Sequence, residues 1–280
     1  MSLSLHRQEY LKQKRKQKLI KFGLIVLVFI ILIATFSYLS YRPSIRIFQV
    51  ELSGQTILDS EEVRKEVLSY LDDSYFWIFP KNNAFLYPKS SLENHLREVF
   101  KRIDVLDLEL RGFQTLQVKV TDRGLLALWC DSAPVSYEEH IQNQTRQCYF
   151  LDNSGMIFAK SPNFSGDAYF RYYGLVSDNP IGSYYLASTT EFSQMNALVA
   201  KARELSIHPV YMIPNGNKEF TLFLRGGGKI YFDTRESLTK TSENLASLLR
   251  ATIFKFDQNG NLPVDYIDLR FGNKLFYKLK

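Results

Sequence analysis

From Phe22 to Tyr41 the chain runs twenty residues without a charge, and no other stretch is comparably apolar. A helix needs about 20 apolar residues to cross roughly 30 Å of hydrocarbon, so the run predicts one transmembrane helix over 22–41. Arg7, Lys12, Lys14, Arg15, Lys16, Lys18 and Lys21 precede it against the single acid Glu9, whereas only Arg42 and Arg46 follow closely. Basic excess stays on the cytoplasmic side. Residues 1–21 are therefore expected to form a cytoplasmic tail that contacts anionic lipid, with the C-terminus extracytoplasmic. Tyr38 and Tyr41 suit the outer interface. A cleaved signal sequence would carry a shorter apolar region ending in small residues, but this run closes on Tyr-Leu-Ser-Tyr-Arg-Pro.

Beyond the span the period changes. Phe48 to Leu52 alternates apolar and polar, which predicts a half-buried strand, with Gly54 as a turn after it. Asp59 or Ser60 then caps a helix whose Val63, Val67, Tyr70 and Leu71 share a face. Pro88, a Ser90/Glu93 capping box and Leu92, Leu96, Val99, Phe100 and Ile103 at helical spacing predict a second helix. Strands follow at Val105–Leu110 and Leu116–Val120, joined by Arg111-Gly112-Phe113-Gln114. Strand, helix, helix, strand, strand over 45–121 predicts a small α+β domain, two helices covering one face of three strands.

Residues 122–280 read as a β-rich domain with two flanking helices. Short strands are expected at Leu125–Trp129 and Cys148–Leu151, then a tight turn at Asp152-Asn153-Ser154-Gly155 and a strand at Met156–Ala159. Ser188 and Glu191 box the start of a helix over about 189–205. His208–Ile213, Phe220–Leu224 and Lys229–Phe232 are strands, with Asn215-Gly216-Asn217 and Gly226-Gly227-Gly228 as turns. Asp233 with Glu236 is expected to cap the next helix, which buries Leu238, Leu245, Leu248 and Leu249. Val264–Phe271 and Lys274–Lys278 close the chain as a hairpin turning at Gly272-Asn273. Order across 160–187 is not legible.

The ordered set resembles one family. The order over 45–121, just after a single span, looks like a POTRA domain, and more narrowly like that of the bacterial division proteins FtsQ/DivIB. The carriers are Phe48-Gln49-Val50-Glu51-Leu52-Ser53-Gly54, the helix at 59–71, Tyr75-Phe76-Trp77-Ile78-Phe79, and Thr115 to Thr121 followed by Asp122-Arg123 and Leu125-Leu126-Ala127-Leu128-Trp129. The closing Ile267-Asp268-Leu269-Arg270, aromatic Phe271, Gly/Asn turn and last strand are the most specific match. Family members often carry Pro where Phe113-Gln114 stands here, and Tyr where Phe271 stands.

Composition changes little. The formal net charge of +6 equals that of the tail alone, so nothing basic remains outside it to suggest nucleic acid, while 45% hydrophobic residues suffice for real cores. Candidate chemistry is sparse. His95, His140 and His208 lie far apart and without metal-ligand spacing, and neither G-x-S-x-G nor a Walker loop occurs. Gly226-Gly227-Gly228 sits between strands with no helix start to hold a phosphate. Asp265 and Asp268, three apart in a strand, point to opposite faces. The sequence thus reads as a non-enzyme with no catalytic residue, cofactor, metal or small-molecule substrate. Cys130 and Cys148 would stand near-opposite if their strands pair antiparallel, which permits a disulfide in an oxidising compartment; two unlinked, packed thiols are the other reading.

The resemblance implies a non-catalytic scaffold in the plasma membrane at the division septum, binding FtsB-like and FtsL-like single-span proteins outside the membrane. The last strand, near the end of the chain, is the expected sheet edge for strand addition. Arg270, Phe271, Lys274, Leu275, Phe276, Tyr277 and Lys278 are the expected partner-binding residues. Ordinary surface charge for Arg270 and hairpin packing for Phe271 are the alternatives. Two other functions compete: a POTRA-bearing envelope translocation or assembly component, and a membrane-tethered envelope enzyme.

Overall fold

The computed structural model describes residues 2–134, 139–140, 147–164, 166–176, 179–250, 254–272 and 274–280. Helix α1, Ser2–Ser40, is continuous, so the basic tail and the apolar run share one helix. Within it Lys14–Ser40, 27 residues, is long and apolar enough to cross a membrane. The chain divides into two units, Met1–Asp122 and Arg123–Lys280.

In the first unit a 3-10 turn, Pro43–Ile45, leads from α1 into β1, Gln49–Gln55. Helix α2, Ser60–Leu71, starts where the Asp59 carboxylate accepts the Glu61 N–H at 2.8 Å, with Glu61 and Glu62 in the first turn where the dipole favours acids. A short hairpin, β2 Ser74–Tyr75 and β3 Phe79–Pro80, precedes α3, Lys89–Val99. Strands β4, Ile103–Arg111, and β5, Thr115–Asp122, complete a sheet of order β1-β5-β4, in which β1 runs parallel and β4 antiparallel to β5. Val63, Val67 and Leu71 of α2 and Leu92 and Leu96 of α3 bury against Leu106, Leu108, Leu116, Val118 and Val120.

Two local expectations shift. No side chain caps α3: the Pro88 carbonyl accepts the Leu92 N–H at 2.9 Å, Ser90 lies inside the helix, and Glu93 pairs with Lys89 at 3.8 Å. Gly54 is no turn. It stays in β1 opposite Val120 at φ +111°, where a Cβ would come 2.0 Å from the Val120 carbonyl oxygen. Glycine is needed because one backbone passes too close to another.

The second unit carries one sheet. Its first strands are β6 Ala127–Cys130, β7 Cys148–Leu151, β8 Ile157–Lys160 and β9 Arg171–Tyr173. Helix α4, Thr189–Glu204, follows, capped by the Ser188 hydroxyl accepting the Glu191 N–H at 3.2 Å. Then come β10 Pro209–Gly216, β11 Glu219–Leu224, β12 Lys229–Asp233, helix α5 Leu238–Arg250, β13 Val264–Phe271 and β14 Lys274–Leu279. The sheet order is β14-β13-β12-β11-β10-β9-β6-β7-β8. Phe192, Met195 and Leu198 of α4 and Leu238 and Leu245 of α5 pack on one face against Leu222, Ile230, Phe232 and Ile267. A smaller apolar cluster, including Leu128, Tyr173, Val210 and Tyr211, lies apart from that core.

Strand β9 fills the stretch that could not be read: only three residues long, it joins β6 to β10 by parallel pairing on both sides. The turn expected at Asn215-Gly216-Asn217 moves on to Asn217 and Lys218, both at positive φ as a type I′ hairpin requires. The closing turn includes Asn273, outside the described residues.

Cys130 and Cys148 pair directly in the β6–β7 register with Cα atoms 4.2 Å apart, and they form a disulfide. Their separation of 18 residues corresponds to about 3 kcal/mol of loop-closure stabilisation. Intact mass of the alkylated protein should show no adduct before reduction and two after it. Reduction should lower unfolding stability by about 3 kcal/mol.

Gly54→Ala is expected to cost about 2–3 kcal/mol, combining the left-handed φ with a backbone clash. Gly112→Ala shares a positive φ of 68° but meets nothing within 4 Å. It should cost only about 1–2 kcal/mol. Urea unfolding of the full chain in detergent would separate the two.

Candidate functional site

Strand β14 ends the nine-stranded sheet. It pairs with β13 on one side, Ile267 opposite Tyr277 and Asp268 opposite Phe276, and among the described residues no strand pairs with its other side. The opposite edge differs. There returning chain covers the start of β8: the Ile157 N–H donates to the Ser183 carbonyl at 2.9 Å and the Gly182 N–H to the Ile157 carbonyl at 2.7 Å. An uncovered edge presents a row of N–H and C=O groups to an incoming strand.

The side chains of β14 divide between two faces. Leu275 packs against the core, and the Tyr277 ring lies 5.2 Å from that of Phe254. On the other face Phe276 is half exposed and meets the half-exposed Phe271 edge-on at 5.5 Å. Lys274 is exposed, and Lys278 pairs with Asp265 at 2.9 Å. That hydrogen bond raises the Lys278 pKa and lowers that of Asp265.

Arg270 is held from within the unit. Its Nε and Nη2 donate to the two Asp268 carboxylate oxygens at 2.9 and 2.6 Å, and its Nη1 donates to Glu219 at 2.7 Å. The guanidinium also lies 5.3 Å from the Tyr231 ring centre. Asp268 and Glu219 hold its pKa above the ordinary arginine value. Glu219 is also 3.5 Å from Arg235, whose guanidinium grips the buried Asp233. Sequence reasoning missed Glu219 and Arg235 because they come from β11 and from the turn after β12, and only the sheet order brings them beside Arg270. It also misassigned Asp233. Rather than capping α5, Asp233 accepts from the Arg235 side chain and backbone N–H, and the Ser237 carbonyl and hydroxyl accept the first N–H groups of the helix.

The remaining candidates do not converge. His95 stacks on Tyr70 at 4.6 Å and contacts Glu66 at 2.7 Å in the first unit. His140 is buried in the second, with Arg171 donating to its Nε2 at 3.0 Å and Tyr173 against its Nδ1 at 3.1 Å. Among the described residues no three His, Cys, Asp or Glu side chains gather as a metal-sized group. The Asp122-Arg123 pair is divided. Asp122 accepts from the Thr56 hydroxyl at 2.6 Å, whereas Arg123 meets Asp152 at 2.8 Å in its own unit.

Arg235 side-chain hydrogen bonds, reinforced by its backbone N–H and opposed by burial, hold the Asp233 carboxyl below the ordinary range. An unfolded aspartate titrates near about 3.9, so this charge contributes its full stability above that pH and loses it as pH falls through the lower folded-state value. Asp233→Asn should therefore cost about 1 kcal/mol at neutral pH, a charged hydrogen bond discounted for the half-exposed Arg235. It should also flatten the stability curve below about pH 4, measured by urea unfolding across pH. Compared with known proteins, the chain matches no family model and no curated protein.

Proposed function

We propose that this chain is a membrane-tethered, non-catalytic scaffold of the bacterial division septum. It would stand with its tail in the cytoplasm and both folded units outside, and take partner strands along β14. One observation carries the reading. The β8 edge is partly covered by residues 182–183, whereas the β14 edge is uncovered, and Phe276 of β14 and Phe271 of β13 are half exposed beside the Arg270–Glu219 ion pair. Main-chain pairing supplies affinity in strand addition, and alternate side chains supply register.

Supporting the family reading are the β-α-α-β-β order of the three-stranded sheet and its two helices in the first unit, as in a POTRA domain though with the β2–β3 hairpin between the helices, and the apolar helix before it. The partners proposed are FtsB-like and FtsL-like single-span proteins. In this reading Arg270 orders the edge from inside, and Phe271 and Phe276 touch the partner.

The test is co-purification of the full chain with such partners. Deleting 274–280, or changing Phe276→Asp, should abolish capture while the first unit keeps its unfolding transition. A fluorescent fusion should form a mid-cell ring. Undiminished capture by both variants would rule out the β14 edge, and a uniform membrane signal would count against the septum.

A further inference from the structure

The hairpin β2–β3 turns through Phe76 and Trp77, both left-handed at φ 51° and 58°, with the Ile78 N–H donating to the Tyr75 carbonyl at 2.9 Å. Such a turn favours Asn and Gly, and a bulky residue there costs about 1–2 kcal/mol. The chain nevertheless places two large aromatics at the tip, 88% and 93% exposed. Folding of the first unit does not use them, since neither belongs to its core.

The position of the tip is fixed by α1. Ile33, Ser37 and Ser40, spaced i, i+4 and i+7, are the covered positions near the end of that helix. The Ser37 hydroxyl donates to the Ile78 carbonyl at 2.7 Å. Asn83 donates to the Ser40 carbonyl and hydroxyl, both at 3.0 Å. Arg42 lies over Tyr38 at 5.1 Å and Arg46 over Tyr41 at 5.9 Å, cation and ring paired as at a headgroup layer. Ser37 lies three residues before the end of α1, about 4.5 Å deeper along the helix than Ser40. A carbonyl at that depth needs a partner that is not water, and Ser37 provides it. Beside the hairpin an apolar groove of about 570 Å³, walled by Phe36 and Leu39 of the helix and by Phe79, Phe85 and Leu86, continues the lipid-facing surface.

We propose that the Phe76-Trp77 tip is a second membrane contact, inserted in the outer-leaflet interface beside the span, with lipid acyl chains filling the groove. This rests on α1 crossing the membrane, but not on any division partner. The occupant is lipid because the tip is tied to the helix within the apolar run and because the apolar groove beside it is walled jointly by that helix and by Phe79 of the same hairpin.

The full chain and its Trp77→Phe variant are placed in nanodiscs, one chain per disc, made with phosphatidylcholine brominated in its acyl chains. Trp129 is buried in the second unit, so the emission lost in the variant belongs to Trp77. Most of that component should be quenched by the brominated lipid and little of it by aqueous iodide. Quenching by iodide alone overturns the proposal, and protection from both quenchers overturns it in favour of a protein contact. A chain that fails to float with lipid overturns the span itself, which separates that failure from failure of the tip.

Discussion

A peptide N–H or C=O removed from water must find a partner, at a cost of roughly 1–3 kcal/mol when it does not. The places where this chain meets that demand, and the place where it does not, organise the molecule. At the end of α1, Asn83 takes the Ser40 carbonyl and Ser37 takes that of Ile78. At the start of β8 the segment 182–183 pairs both backbone groups of Ile157. At Gly54 two strands approach so closely that no side chain fits between them. At the other end of the large sheet from β8, the outer side of β14 is paired with no described strand.

The strongly periodic parts of this architecture were legible in the sequence. Leu92 and Leu96 fix one helix face, Leu116 to Val120 alternate without interruption, and Asp59 and Ser188 cap where their side chains reach a free N–H. Illegible features depend on a partner distant in sequence. Strand β9 is three residues that pair only because β6 and β10 flank them. Asp233 looks like a cap until Arg235 is seen to occupy it. Gly54 looks like a turn because close approach and a turn both select glycine, and only the position of Val120 distinguishes them.

The candidate edge divides in the same way. The closing hairpin of β13 and β14 could be anticipated from its alternation. That Arg270 would be held by Glu219, 51 residues earlier, could not. The distinction matters for reading a substitution. Removing Arg270 would leave the partly buried Asp268 and Glu219 without their shared cation, so its loss weakens the sheet itself. Phe276 has no such internal duty beyond its contact with Phe271. A lost partner at Arg270 would thus report folding and binding together, whereas at Phe276 it would report chiefly binding.

The same reasoning separates the two exposed aromatic pairs. Phe271 and Phe276 are half exposed, touch each other edge-on and lie on ordinary strand backbone, so a soluble fold tolerates them. Phe76 and Trp77 are almost wholly exposed and held in a conformation that disfavours them. A soluble turn at that point would be served better by Asn-Gly, which removes both the backbone cost and the exposed apolar area. Local energetics therefore argue against the sequence that is present, and what offsets the cost lies outside the folded unit. The adjoining surface of α1 is apolar over a length that suits a bilayer, which makes lipid the simplest environment able to offset it.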